Sequence, residues 1–159
     1  MFSIGEIIDL AIQIEKNGER IYRNALHITP ASSLATWFQK LADEESQHAK
    51  WFSEMKPTVK KSGDELELEQ MGRSILGRIL GDQSFSLQDA DFSSIDQVRD
   101  LLELAIEFER DTVLFYEMIH AFIEEEDTEA LNVLEKIIDE ENRHIQLFRD
   151  LLESGEANL

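Results

Sequence analysis

Four glutamates and two histidines stand at positions where a helical chain would otherwise place apolar side chains. Ala11, Ile12, Glu15 and Tyr22, followed by Glu45 and His48, recur as Ala105, Ile106, Glu109 and Tyr116, followed by Glu141 and His144. Each half offers two carboxylates and one imidazole. Together they make six oxygen and nitrogen donors, the set that a pair of transition-metal ions needs.

The repetition can be traced position by position. Ala11 to Tyr22 aligns with Ala105 to Tyr116 at an offset of 94, and Leu41 to Phe52 aligns with Ile137 to Phe148 at an offset of 96, so a two-residue indel separates the halves. Asp43, Glu44, Glu45, His48 and Phe52 find identical partners in Asp139, Glu140, Glu141, His144 and Phe148. A duplicated helical hairpin is the natural reading. Glu45 with His48, and Glu141 with His144, are three residues apart, which on a helix brings both side chains to one face. A single Glu-x-x-His is weak evidence, because glutamate is abundant here. Two of them in matching repeats, each within an apolar stripe, are strong, because a buried carboxylate must take up a proton or acquire a cation. The competing reading is a set of solvated glutamates and ordinary polar histidines on an acidic bundle.

The elements that would position these groups follow from periodicity. Helix A is expected over 3–27, opened by a Ser3 to Glu6 capping box, with Ile4, Ile8, Ala11, Glu15, Gly18, Tyr22 and Ala25 on one seam. Helix B is expected over 30–55, with Thr29 as N-cap and Pro30 at the first helical position, and a seam of Leu34, Phe38, Leu41, Glu45, His48, Phe52 and Met55. Residues 56–93 form a polar crossover with a short helix between about Asp64 and Leu80. Helix C is expected over 94–125 from a Ser94 to Gln97 capping box, with Val98, Leu102, Ala105, Glu109, Thr112, Tyr116, Ile119 and Ile123 inward. Helix D is expected over 128–153, beginning near Asp127, with Ala130, Leu134, Ile137, Glu141, His144, Phe148 and Leu151 on its seam. The result is one all-α domain, 1–159, a four-helix bundle of two hairpins joined by a long B–C crossover.

Composition narrows the chemistry further. Thirty-four acidic against fifteen basic residues give a net charge of −19, which repels nucleic acid and anionic membranes and attracts cations. The chain contains no cysteine, so it can hold neither a disulfide nor a thiolate-ligated iron centre, and electrons would have to arrive from elsewhere. No run of residues approaches the ~18 apolar positions of a membrane span, and Met1 leads directly into an amphipathic helix; the expected location is the cytoplasm.

On Glu15, Glu45, His48, Glu109, Glu141 and His144 the chain resembles the rubrerythrins, within the ferritin-like di-iron carboxylate proteins, across all four main helices. The resemblance implies that Glu45 and Glu141 bridge two metals, that Glu15 and His48 complete one ion, and that Glu109 and His144 complete the other. Two iron ions are the implied cofactor, with manganese or zinc as alternatives. The cysteine-ligated rubredoxin domain of full rubrerythrins is missing here, and the extra glutamate they carry one turn beyond the helix C ligand is Thr112.

The implied activity is reduction of hydrogen peroxide, or of dioxygen, with electrons from a separate electron-transfer protein. A ferroxidase taking Fe(II) as substrate, or an iron-handling protein without turnover, are the alternatives. The implied assembly is a homodimer, whose crossovers could close each bundle within or between chains. No nucleic-acid or membrane partner is expected.

Several neighbours of the six carry two readings. Glu44 and Glu140 are surface charges, or each bonds the ring nitrogen of the opposite repeat's histidine and fixes its tautomer. Tyr22 and Tyr116 are core aromatics, or they hydrogen-bond a ligand carboxylate or donate to peroxide. Gly18 costs about 1 kcal/mol relative to alanine in mid-helix, which implies that room is needed beside the metals. Glu19, whose repeat partner is Val113, is expected to support the ligands from outside. His27 and His120 do not correspond in the repeat and are not expected as ligands, and Trp37 and Trp51 read as core or interface aromatics.

Overall fold

The computed structural model describes residues 4–28, 33–56, 58 and 95–155. They form four helices: α1, Ile4–Ile28; α2, Ser33–Met55; α3, Ile95–Phe122; and α4, Thr128–Ser154. Charge suits the ends of several. Glu6 lies in the first turn of α1 and His27 in its last, His120 in the last turn of α3, and Glu129 in the first turn of α4, each complementing the helix dipole. Asp127 caps α4 by accepting a hydrogen bond from the Ala130 amide at 3.3 Å, and Gly155 closes it in the left-handed conformation at φ 74°. The caps expected at Ser3, Thr29–Pro30 and Ser94, and the short helix expected within 56–93, lie outside the described residues.

Among the described helix ends, one differs from expectation by more than a residue. α3 stops at Phe122 rather than at 125, and the Asp127 amide donates to the Glu124 carbonyl at 2.9 Å in the turn that follows. Glu124, Glu125 and Glu126 would extend α3 with three acidic side chains at its C-terminal, electronegative end, which the helix dipole opposes.

The core is divided into two apolar clusters. One gathers Ile8, Ala11 and Ile14 of α1, Phe52 and Met55 of α2, Phe115, Tyr116 and Ile119 of α3, and Leu134 and Ile137 of α4. The other gathers Ile21, Tyr22 and Ala25, then Phe38 and Leu41, then Leu102 and Ala105, then Phe148 and Leu151, from the same four helices. The order in which each helix visits the clusters fixes its direction. α1 and α4 run from the first cluster to the second, whereas α2 and α3 run from the second to the first. α1 packs along α2 and α3 along α4 as two antiparallel hairpins. Because α2 and α3 are parallel, the chain leaves α2 at one end of the bundle and enters α3 at the other, so one long crossover joins the hairpins. A helix of 23 residues spans roughly 34 Å, which sets the distance to be covered. This is the ferritin-like four-helix arrangement. Among the described residues no helix is long and apolar enough to cross a membrane.

α3 is buried over a wider face than its seam alone. Beside the expected stripe it also buries Leu101, Phe108, Phe115 and Phe122, a second row at seven-residue spacing.

Candidate metal centre

Between the two apolar clusters lies a polar layer one helical turn thick. On every helix the apolar stripe continues above and below it, so packing at both ends holds the intervening glutamates and histidines inside. Glu15, Glu45, His48, Glu109, Glu141 and His144 are all buried. Their ligating atoms fall into two overlapping groups, each compact to within 4.8 Å: Glu15, Glu45, His48 and Glu141, and Glu45, Glu109, Glu141 and His144. Glu45 and Glu141 belong to both.

Each imidazole turns Nδ1 toward the carboxylates. His48 Nδ1 lies 2.7 Å from Glu141 Oε1, 3.4 Å from Glu15 Oε2 and 3.7 Å from Glu45 Oε2. His144 Nδ1 lies 2.9 Å from Glu141 Oε2, 3.3 Å from Glu45 Oε1 and 3.6 Å from Glu109 Oε1. These approaches are ion-pair contacts and not hydrogen bonds: both Nδ1 atoms, both Glu141 oxygens, Glu15 Oε2, Glu45 Oε1 and Glu109 Oε2 are buried without a hydrogen-bond partner. Such a concentration of orphaned donors aimed at common points is what a pair of cations would satisfy.

The outer ring nitrogens are occupied crosswise. Glu140 Oε2 lies 2.6 Å from His48 Nε2, and Glu44 Oε2 lies 2.9 Å from His144 Nε2, each carboxylate coming from the opposite repeat. The tyrosines cross in the same way. Tyr22 donates to Glu109 Oε1 and Tyr116 donates to Glu15 Oε1. Each phenol is held by a phenylalanine of the matching kind, Tyr22 against Phe148 at 5.9 Å between ring centroids and Tyr116 against Phe52 at 5.0 Å.

The protons of this layer are redistributed by burial and proximity. Burial, then repulsion from Glu141 and Glu109, pushes Glu45 well above the usual carboxylate range. Burial, then repulsion from Glu141, lifts Glu109 to about 8, against the pull of His144. Burial would also raise Glu141, but the imidazoliums of His144 and His48 close beside it outweigh this and hold that carboxyl low. Burial alone would lower the histidines; the surrounding carboxylates reverse this and hold both imidazoliums far above the ordinary value. Both tyrosines are driven up, first by burial and then by the carboxylates facing them, and so stay protonated. Glu44 is lowered by its hydrogen bond to His144. Without metal the layer therefore balances its negative charge with protons, which cations can replace.

Gly18 is buried on α1, where an added Cβ would come within 3.3 Å of Glu45 Cγ. Glu19, expected to support the ligands, does not do so. Its hydrogen bond, at 2.8 Å, and its ion pair are both to Arg23, one turn on, and it is a quarter exposed at the edge of the seam. An i,i+4 arginine with access to water offers an easier partner than a crowded anionic layer. His27 is exposed, His120 pairs with Glu135 at 3.0 Å on the surface, and Trp37 is 38% exposed.

One aromatic contact went unread in the sequence. The Trp51 ring lies 5.6 Å from the His48 ring, and the Lys136 ammonium covers its outer face at 4.1 Å from the centroid. The three-residue step from His48 to Trp51 could have signalled the first contact; the second joins distant parts of the chain and left no local trace.

Residues 6–76 match the family model described as Rubrerythrin. That span covers Glu15, Glu45 and His48, and the second half repeats the same donors as Glu109, Glu141 and His144. Searches of curated proteins and of solved structures return no match for the chain.

Proposed function

We propose that this chain, whose residues 6–76 match the Rubrerythrin family model, is a rubrerythrin-like di-iron carboxylate oxidoreductase, reducing hydrogen peroxide, or dioxygen less selectively, with electrons from a separate carrier protein. The observation that carries the reading is the pair of overlapping donor groups sharing Glu45 and Glu141. In this assignment those two carboxylates would be shared by both irons, Glu15 and His48 would hold one of them, and Glu109 and His144 would hold the other. When bound, the iron pair supplies the two electrons that cleavage of the peroxide O–O bond consumes.

The remaining work belongs to the protein. Four carboxylates stabilise the more highly charged oxidised state of whatever they ligate. Glu140 and Glu44 accept the Nε2 protons of His48 and His144, so that each imidazole would present its Nδ1 lone pair to a metal once the Nδ1 proton is displaced. Tyr22 and Tyr116, kept protonated by their surroundings, orient Glu109 and Glu15 and hold a proton one hydrogen bond from the ligand shell. The two apolar clusters keep bulk water away from the layer, which strengthens every electrostatic interaction within it.

A second reading is ferroxidase activity, in which Fe(II) is the substrate; the net charge of −19 favours it by drawing cations to the surface. The test is anaerobic Fe(II) titration of metal-free protein, followed by stopped-flow absorbance with peroxide and oxygen in parallel. Two irons per chain, oxidised far faster by peroxide than by oxygen, support the peroxidase. Oxygen consumption proportional to many added irons per chain supports the ferroxidase. Failure to bind two irons, or equal binding by a Glu45→Ala/Glu141→Ala variant, removes the di-iron assignment altogether.

A further inference from the structure

Among the described residues, every buried side-chain polar atom without a hydrogen bond belongs to the six proposed ligands except one, Thr112 Oγ1. Thr112 is 1% exposed. A threonine inside a helix normally satisfies its hydroxyl on the carbonyl one turn back or turns it to solvent. Here it does neither. Valine has almost the same shape and would fill this position without burying an unpaired hydroxyl, so for folding alone threonine is the poorer choice.

Its position explains the hydroxyl better. Thr112 follows Glu109 by three residues on the inward stripe of α3, one turn from a proposed ligand. Its counterpart in the first repeat, at the offset of 94, is Gly18, whose absent side chain leaves α1 flush against Glu45. The counterpart of Glu45 is Glu141. The two halves are therefore matched in ligands but unmatched in what flanks them. Bare backbone borders one shared carboxylate, and the corresponding position of the other repeat carries a buried hydroxyl without a hydrogen bond.

We propose that Thr112 Oγ1 is a substrate-contacting group, which hydrogen-bonds a small oxygen-rich molecule of the peroxide class entering on the Glu109–Glu141 side and so makes the two halves of the centre functionally unequal. The proposal rests on the di-iron reading and adds to it where, and against which side chain, the substrate docks. A hydroxyl both donates and accepts, so it can hold hydrogen peroxide or its anion without a change in its own charge.

Azide, a small linear anion, serves as the probe. Fe(II) uptake is measured first for the native chain, Thr112→Val, Thr112→Ser and Thr112→Gly, the last copying Gly18. Azide is then titrated into the oxidised proteins and followed by its azide-to-iron absorption band. All four proteins are expected to take up two irons. Thr112→Ser keeps native azide affinity, while Thr112→Val and Thr112→Gly weaken it roughly ten- to hundredfold, the range for a hydrogen bond to a charged partner. Metal-free Thr112→Val is expected to melt no lower than the native chain, since it loses only an unpaired hydroxyl. Two irons in every variant with unchanged azide affinity in Thr112→Val overturns the proposal and leaves the di-iron reading standing. A native chain that takes up no iron pair overturns both.

Discussion

Replacing Gly18 with alanine should stabilise the metal-free protein and weaken its hold on metal, because one added methyl acts on helix and site with opposite signs. In mid-helix alanine is favoured over glycine by about 1 kcal/mol. The new Cβ would meet Glu45 Cγ at 3.3 Å, Cδ at 3.4 Å and Oε2 at 3.5 Å. Unstrained carbon contacts begin near ~3.5 Å, so the carboxylate must yield by a few tenths of an ångström. Without metal Glu45 can turn about its side-chain bonds and the helix keeps its gain, which for a domain of this length raises the unfolding midpoint by about 2–4 °C.

With both irons in place Glu45 would be fixed between them and could not turn. A displacement of that size uses up the roughly 0.2 Å tolerance of a metal–ligand distance, so affinity should fall on the order of tenfold. Scanning calorimetry of the metal-free variant and competition titration with Co(II) read the two effects separately. A higher midpoint with unchanged Co(II) affinity would refute the assignment of Glu45 as a ligand in its present place. A midpoint lowered by several degrees would refute the premise that Glu45 is free to move without metal.

Three further outcomes follow from the same geometry. Glu109, raised to about 8, and the two histidines, also raised, bind protons more tightly folded than unfolded, so the stability they confer is present at low pH and lost as pH rises. For Glu109 the window runs from its unfolded value of 4.5 to about 8, whereas Glu141, which is lowered, acts in the opposite sense only below 4.5. The metal-free midpoint should therefore fall between about pH 5 and 8, and Glu109→Gln should flatten part of that fall; a native midpoint that climbs across the interval contradicts the electrostatics. The double variant Glu44→Gln/Glu140→Gln should keep its helices by circular dichroism but lose roughly 10–100-fold in metal affinity, and unchanged affinity would reduce those residues to surface charges. In a Trp37→Phe background, Co(II) loading should quench the Trp51 fluorescence, since its ring lies 5.6 Å from that of His48; constant emission would place the metal away from His48.

The convergence of the six side chains and the fold class were legible in the sequence because both depend on position along a helix. A carboxylate at a stripe position, repeated at a fixed offset with a histidine three residues after its partner, states which side chains face inward at the same height. The stripes of α2 and α4 carry their expected buried residues without exception. The second buried row of α3, Leu101, Phe108, Phe115 and Phe122, was not evident, because the width of a buried face depends on how many neighbours surround a helix rather than on its own period.

Pairings across the bundle were decided only by tertiary structure. Position along a helix places Tyr22 near the height of the donors, but antiparallel packing of two like hairpins brings it to Glu109 rather than to Glu15 of its own helix, and likewise Tyr116 to Glu15. Glu19 turned outward because Arg23 and water compete for a seam-edge carboxylate on better terms than an anionic interior does. The orphaned hydroxyl of Thr112 and the contact between Gly18 and Glu45 belong to the same class. Period and spacing in the sequence name the chemistry that converges; which atom meets which depends on the relative register of four helices, and that register is set by side chains packing against one another at a distance in the chain.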